Sequence, residues 1–258
     1  MTGSELLLTL LGSVALLFWG VRLVRTGVTR AYSAPLRMVI GQASRNRATA
    51  FGAGVCVAGL LQSATATALL LASFAGRGLI TLPVALAVML GADVGTTLVA
   101  QVFAVDIKWL WAAAMIVGVV TFHISGNDRA KSIGRIAIGL ALTLLALSVL
   151  ATASGALRAS PTVQVVLSAL GSEPIVAVLV GAALTWLAHS SLAIVLFIMS
   201  LAAGGVIDST LALSLVLGAN IGGALAPFTA LAGSPVAARR IPLGNLLART
   251  AVAALTVP

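Results

Sequence analysis

Two stretches of this chain, 127 residues apart, interrupt hydrophobic sequence with the same polar pattern, and that duplication restricts what the chain can become. LLQSATATALL followed by LAVMLGADVGTTLVA is matched by LAHSSLAIVLF followed by LSLVLGANIGGALAP, so Gln62 aligns with His189 and Gly91 with Gly218. With no gap, about a third of the residues between Gly54 and Gly95 are identical to their partners at that offset. Paired polar interruptions in corresponding hydrophobic segments are the sequence pointer to a transporter's binding site, built where two repeats meet. The chain therefore divides into repeats at residues 1–127 and 128–258, the second expected to be truncated at its C-terminal end.

Composition sets the solvent. Only 8% of the 258 residues are charged and 60% are hydrophobic, with a mean hydropathy of +1.15. Soluble domains carry about 25% charge, so this chain cannot cover a water-facing surface and belongs in a bilayer. Its apolar runs are continuous, as in Leu6–Val28 and Ile133–Ala153, which fits spanning helices and not the alternation of a membrane β-barrel. The net charge of +9 is carried by arginines dispersed between hydrophobic spans, a pattern of membrane orientation and not of nucleic-acid binding. Cys56 is the single cysteine, so no intrachain disulfide forms. The N-terminus lacks the basic start and small-residue cleavage site of a secretory signal, and Leu6–Val28 reads as retained.

Each half is expected to hold a long helix, a short amphipathic segment, two interrupted stretches and a final helix. The first interrupted stretch, Ala48–Ala75, would measure about 42 Å as one helix, too long for a ~30 Å hydrocarbon core. Split at Gln62-Ser63 it gives two arms of about 20 Å, a geometry suited to a re-entrant hairpin. Charge counting supports this. With re-entrant hairpins and three crossings per half, Arg25, Arg30, Arg37, Arg45, Arg47, Arg77, Arg129, Lys131, Arg135, Arg239 and Arg240 fall on one side, and only Lys108 and Arg158 on the other. The positive-inside rule then favours inverted halves and an external N-terminus. The expected fold is all-α and transmembrane, with inverted-topology repeats that each carry a re-entrant hairpin and a broken helix.

The expected helix breaks are Gly91, Gly95, Gly218 and Gly222, which flank Asp93 and Asn220 and favour local unwinding. Non-helical backbone at membrane depth is tolerated only where it is buried in protein or lines a cavity. Exposed N–H groups at half-helix N-termini, together with serine and threonine hydroxyls, suit an anion. Freed carbonyls, the hydroxyls of Thr96 and Thr97 and the Asp93 carboxylate are hard oxygen ligands that suit Na⁺. An acid inside the membrane is functional by default. No lysine or arginine lies close in sequence to these motifs except Arg77, which is expected at the membrane surface. A bound anion would then be balanced by dipoles and co-bound cations, a physical reason for symport.

At these residues the chain resembles the type II sodium–phosphate cotransporter family, particularly its bacterial branch, which carries a duplicated QSSS-type tip and GANIGTT-type break. The motifs stand here as Gln62-Ser63-Ala64-Thr65 with GADVGTT (Gly91–Thr97), and as His189-Ser190-Ser191 with GANIGG (Gly218–Gly223). The resemblance implies sodium-coupled symport of inorganic phosphate by a multi-pass protein of the cytoplasmic (inner) membrane, and no enzyme. It places Gln62, Ser63, Thr65, His189, Ser190 and Ser191 near phosphate, and Asp93, Thr96, Thr97 and Asn220 on sodium, with Na⁺ as coupling ion and no other cofactor. The partners are phosphate, Na⁺ and the lipid bilayer; a homo-oligomer is compatible with the sequence. The departures are Ala64 in the first tip, His189 and Leu192 in the second, and Gly223 and Ala224 where the second break would carry threonines. These leave open another small oxyanion or carboxylate as cargo, H⁺ in place of Na⁺, or a phosphate sensor that does not transport. From Pro242 only about 17 residues remain, barely a span, and further helices are expected beyond Pro258.

Overall fold

The computed structural model describes residues 3–42, 46–105 and 109–257, and within them the chain forms helices α1 to α11. Arg45 and Lys108, two of the basic residues weighed for orientation, lie outside the described residues. The helices are α1 (Gly3–Gln42), α2 (Arg47–Leu61), α3 (Ala64–Gly76), α4 (Leu82–Phe103), α5 (Leu110–Ile124), α6 (Asp128–Arg158), α7 (Pro161–Gly171), α8 (Pro174–Ala188), α9 (Ser191–Ala203), α10 (Ser209–Ala230) and α11 (Val236–Thr256). Four of them are long and apolar enough to cross a bilayer: α1 up to Leu36, α4, α6 and α10. A fifth span arises if α7 and α8, bent by 108°, count as one. Large apolar side chains such as Leu8, Val102, Ile116 and Leu187 face outward, as a lipid-facing surface requires.

The duplication is legible in the helix bounds. Helices α8, α9 and α10 each begin and end 127 residues after α2, α3 and α4. Backbone conformation follows the same offset. Among the described residues, positive φ occurs at Gln62 (51°) and His189 (52°), and at Gly78 (70°) and Gly205 (66°). The first pair forms the expected interruptions. Gln62 turns into the left-handed region at the end of α2, and Ser63 then runs extended to start α3. His189 and Ser190 do the same between α8 and α9. The arms contain 15 and 13 residues in each half, about 22 and 20 Å long, and none could cross the core alone.

The other expected interruptions are absent. Helix α4 runs unbroken through Gly91 and Gly95, and α10 runs unbroken through Gly218 and Gly222. These four glycines are not helix breaks, and the reason is packing. A β-carbon at Gly91 would collide with the Phe51 carbonyl of α2, and one at Gly95 with the Val55 carbonyl. Across the same seam Gly54 of α2 faces the Val88 carbonyl of α4. Every contact recurs in the second half: Gly218 on Val178, Gly222 on Ala182 and Gly181 on Leu215. Lipid tails are as apolar as leucine, so helices in a bilayer associate through close packing, and small residues permit it. The glycines let α2 lie on α4 and α8 on α10 with backbones touching.

Around these two pairs, α1 packs along α6 and α5 covers α6. Helix α1 kinks at Tyr32 (φ −131°, ψ 22°), three residues before Pro35, which lacks the N–H to continue the ladder. One apolar cluster gathers Val57, Leu71 and Val88 of the first half with Ile241 of α11, and another gathers Ile194, Ile198, Leu211 and Leu215. A third, with Leu17, Phe103, Leu150, Leu192 and Leu196, joins them. Helix α11 lies against α3, α4 and α10, and so bridges the repeats.

Candidate functional site

The two serines at the tips are used first by the backbone. Ser63 Oγ accepts from the Ala66 N–H at 3.1 Å, and Ser190 Oγ accepts from the Ala193 N–H at 3.4 Å. Each caps the N-terminus of its helix, where N–H groups otherwise lack partners. Ser63→Ala should therefore lower stability by about 1 kcal/mol, and Ser63→Asn, which can still cap, should restore it. Thermal unfolding in detergent reads both; an alanine variant as stable as the parent would dismiss the cap.

A cavity of about 400 Å³ opens between α4, α9, α10 and α11. Its polar lining consists of Asp93, Thr96, Thr97, Ser191, Asn220 and Arg249. Helix α4 contributes the first three on successive turns of one face, and Asn220 stands at the equivalent position of α10. Thr96 Oγ1 donates to the Ala92 and Asp93 carbonyls (3.1 and 3.0 Å), and Thr97 Oγ1 to the Asp93 carbonyl (2.9 Å). Such back-bonding spends the hydroxyl proton and leaves oxygen lone pairs, which suits a cation more than an anion.

Arg249 dominates the cavity. It comes from α11, is 5% exposed, and forms a forked ion pair with Asp93, which is 26% exposed. Nε donates to Asp93 Oδ2 at 3.1 Å, Nη2 donates to Oδ1, and Nη1 donates to the Asn220 carbonyl at 2.7 Å. One guanidinium thus ties the first repeat's acid to the backbone of the second repeat's asparagine segment. Three of its five N–H donors are engaged in these bonds. Gly223 makes room for it: a β-carbon there would lie 3.1 Å from Nη1 and 3.0 Å from the Ser191 β-carbon. The threonine missing from the second motif is therefore replaced by the space that Arg249 occupies. Thr65, from the first tip, donates to the Gly223 carbonyl at 3.3 Å, so α3 docks on the same segment.

Five expected residues thus line the cavity: Asp93, Thr96, Thr97, Ser191 and Asn220. Thr65 adjoins it through Gly223. Gln62 does not. It is buried, its Oε1 has no hydrogen-bond partner, and it borders a separate apolar cavity of about 470 Å³ against α4, α5 and α6. His189 is exposed, with Nδ1 3.0 Å from the Leu187 carbonyl.

No lysine or arginine but Arg77 lies close to these motifs in sequence, yet the fold brings in Arg249 from 156 residues beyond Asp93, so an anion here would meet a fixed cation as well as dipoles and co-bound cations. A signal was present in the sequence, since an arginine between NLLA and TAVAAL is an ionisable group in an apolar helix. Distance along the chain concealed it.

A chain that is helical throughout its described elements, with a lipid-facing surface and a charged cavity between duplicated halves, is a multi-pass membrane protein. The sequence profile described as "Na+/Pi-cotransporter" matches residues 16–152 and 155–251. The chain belongs to that family. The putative inorganic phosphate export protein YjbB of Escherichia coli (strain K12) is 40% identical over 252 residues, covering 98% of this chain and 46% of that protein. Its counterpart of the same name in Salmonella typhimurium is 42% identical over 241 residues, covering 93% and 44%. The uncharacterized protein YqeW of Bacillus subtilis is 27% identical over 210 residues, covering 81% and 68%. The chain spans about half the length of the YjbB proteins it matches. No solved structure matches it.

Proposed function

We propose that this chain forms the binding core of a secondary-active transporter that moves inorganic phosphate together with Na⁺ across the cytoplasmic membrane. The observation that carries this reading is the cavity itself, where a guanidinium, a carboxylate and several hydroxyl oxygens meet between the two repeats. Arginine offers a planar fork of donors matched to the oxygens of phosphate. The carboxylate, Thr96, Thr97 and the Asn220 segment supply hard oxygens for Na⁺. Phosphate as cargo is supported by the family and by the names of the relatives. From the tips, Ser191 joins the site and Thr65 docks beside it, with the hairpins re-entrant and the repeats inverted in this reading, as the short arms and the charge asymmetry favour.

The relatives are named for export, whereas an inward Na⁺ gradient would drive uptake. Coupling fixes only the ratio in which ions move, and the sum of the gradients sets the direction. The test is flux of labelled phosphate through the full chain in proteoliposomes with the Na⁺ gradient imposed in each direction. Phosphate should accumulate on the side toward which Na⁺ runs down. Equal flux with choline in place of Na⁺ would overturn sodium coupling, and phosphate-dependent stabilisation without flux would make the protein a sensor.

A further inference from the structure

We infer that the Asp93–Arg249 pair is a coupling lock, in which Asp93 occupies the anion-recognising face of Arg249 until a monovalent cation takes the carboxylate. The inference rests on the transport reading above and assigns the coupling step to two named side chains. Its basis is geometric. The carboxylate engages both Nε and Nη2, the edge of the guanidinium that would otherwise grip two oxygens of a tetrahedral anion. The third bond, Nη1 to the Asn220 carbonyl, holds the arginine in place when the carboxylate lets go. Asp93 is the more exposed partner and shares the cavity with Thr96 and Thr97, whose oxygens are directed to accept. A cation that joins Asp93 therefore finds further oxygen ligands on the same helix face, while Arg249 has no alternative acid among the described residues lining this cavity.

The energetics follow from charge. With the lock closed, the cavity is neutral, and an anion must break a forked ion pair to bind. A cation on Asp93 replaces Arg249 as its counter-ion and releases a positive fork to the anion. An anion on Arg249 likewise frees Asp93 for a cation. Each ion thus raises the affinity for the other by the same factor. Neither ion alone leaves all the charges balanced, which is the condition for tight coupling.

Equilibrium binding of labelled inorganic phosphate to the purified full chain, in NaCl against choline chloride, tests the lock. The parent should bind phosphate about tenfold more tightly in Na⁺, within the usual range of coupling. In Asp93→Asn the fork is free at all times, and this ratio should fall to about one. An Asp93→Asn protein that keeps the parental sodium ratio overturns the inference while leaving phosphate transport intact as a reading. Because that variant strands a buried guanidinium and could fail to fold, a second arm uses Arg249→Gln, whose unpaired carboxylate still faces the cavity. With no phosphate present, it should bind ²²Na⁺ about tenfold more tightly than the parent; an unchanged or weaker affinity overturns the lock. This arm holds even if the parent binds no phosphate in either salt, the outcome that would sink the transport reading and not the lock.

Discussion

Arg249→Ala should lower phosphate transport by at least about a hundredfold, equivalent to ~2.7 kcal/mol of lost anion binding. Arg249 is the cation of a cavity whose other polar groups are a carboxylate, an amide and hydroxyls. A hydroxyl that donates back to its own helix, as Thr96 and Thr97 do, offers an anion no proton. Without the guanidinium the cavity keeps the Asp93 charge and repels phosphate. The loss should come without collapse of the fold, because Asp93 is 26% exposed toward the cavity and can be solvated there. Asp93→Asn is the opposite case. It leaves Arg249, at 5% exposure, without its counter-charge, and breaking a buried pair from that side costs about 3–5 kcal/mol. Flux in proteoliposomes and thermal unfolding in detergent, measured on both variants, separate the two effects. Arg249→Lys should recover only a part of the flux, since an ammonium supplies charge but not the fork. Undiminished transport in Arg249→Ala would remove Arg249 from the site.

The pattern of helices was largely legible because apolar length and polar interruption report directly on what a bilayer permits. Gln62-Ser63 and His189-Ser190 read as interruptions, and they are, since a left-handed residue followed by an N-capping serine leaves a local signature. The glycines at 91, 95, 218 and 222 carried a signal that sequence could not resolve. A glycine inside a membrane helix serves either unwinding or close approach, and the choice depends on what lies opposite. The carbonyls of Phe51 and Val178 lie opposite, forty residues earlier in each half, so close approach wins. The acid at 93 was legible by the cost of burying it, but its partner was not, because pairing across 156 residues is set by how α11 crosses α4 and α10. The sparse hydroxyls of the second motif looked like lost chemistry. Gly223 shows them to be cleared space, filled by a charge that comes from elsewhere.

The glycine seam carries the second large effect. Gly91→Ala adds a single carbon, yet the atom it meets is the Phe51 backbone carbonyl, which no rotamer change can move. Helices α2 and α4 must separate along their length, and the neighbouring contacts of Gly54 and Gly95 open with them. A loss of about 3 kcal/mol follows, at the upper end of what overpacking usually costs, or roughly a 6–12 °C fall in unfolding temperature. Gly218→Ala, which meets Val178 in the same way, should cost the second half as much. The control is Gly52→Ala on α2, where a β-carbon meets nothing within 4 Å. There alanine should stabilise by about 0.5–1 kcal/mol, because it restricts the unfolded chain and favours the helix. The contrast is the test, since all three changes raise helix propensity equally. If Gly91→Ala and Gly218→Ala unfold at the temperature of Gly52→Ala, the helices are not held in backbone contact and the glycines must serve the local unwinding that the unbroken α4 and α10 argue against.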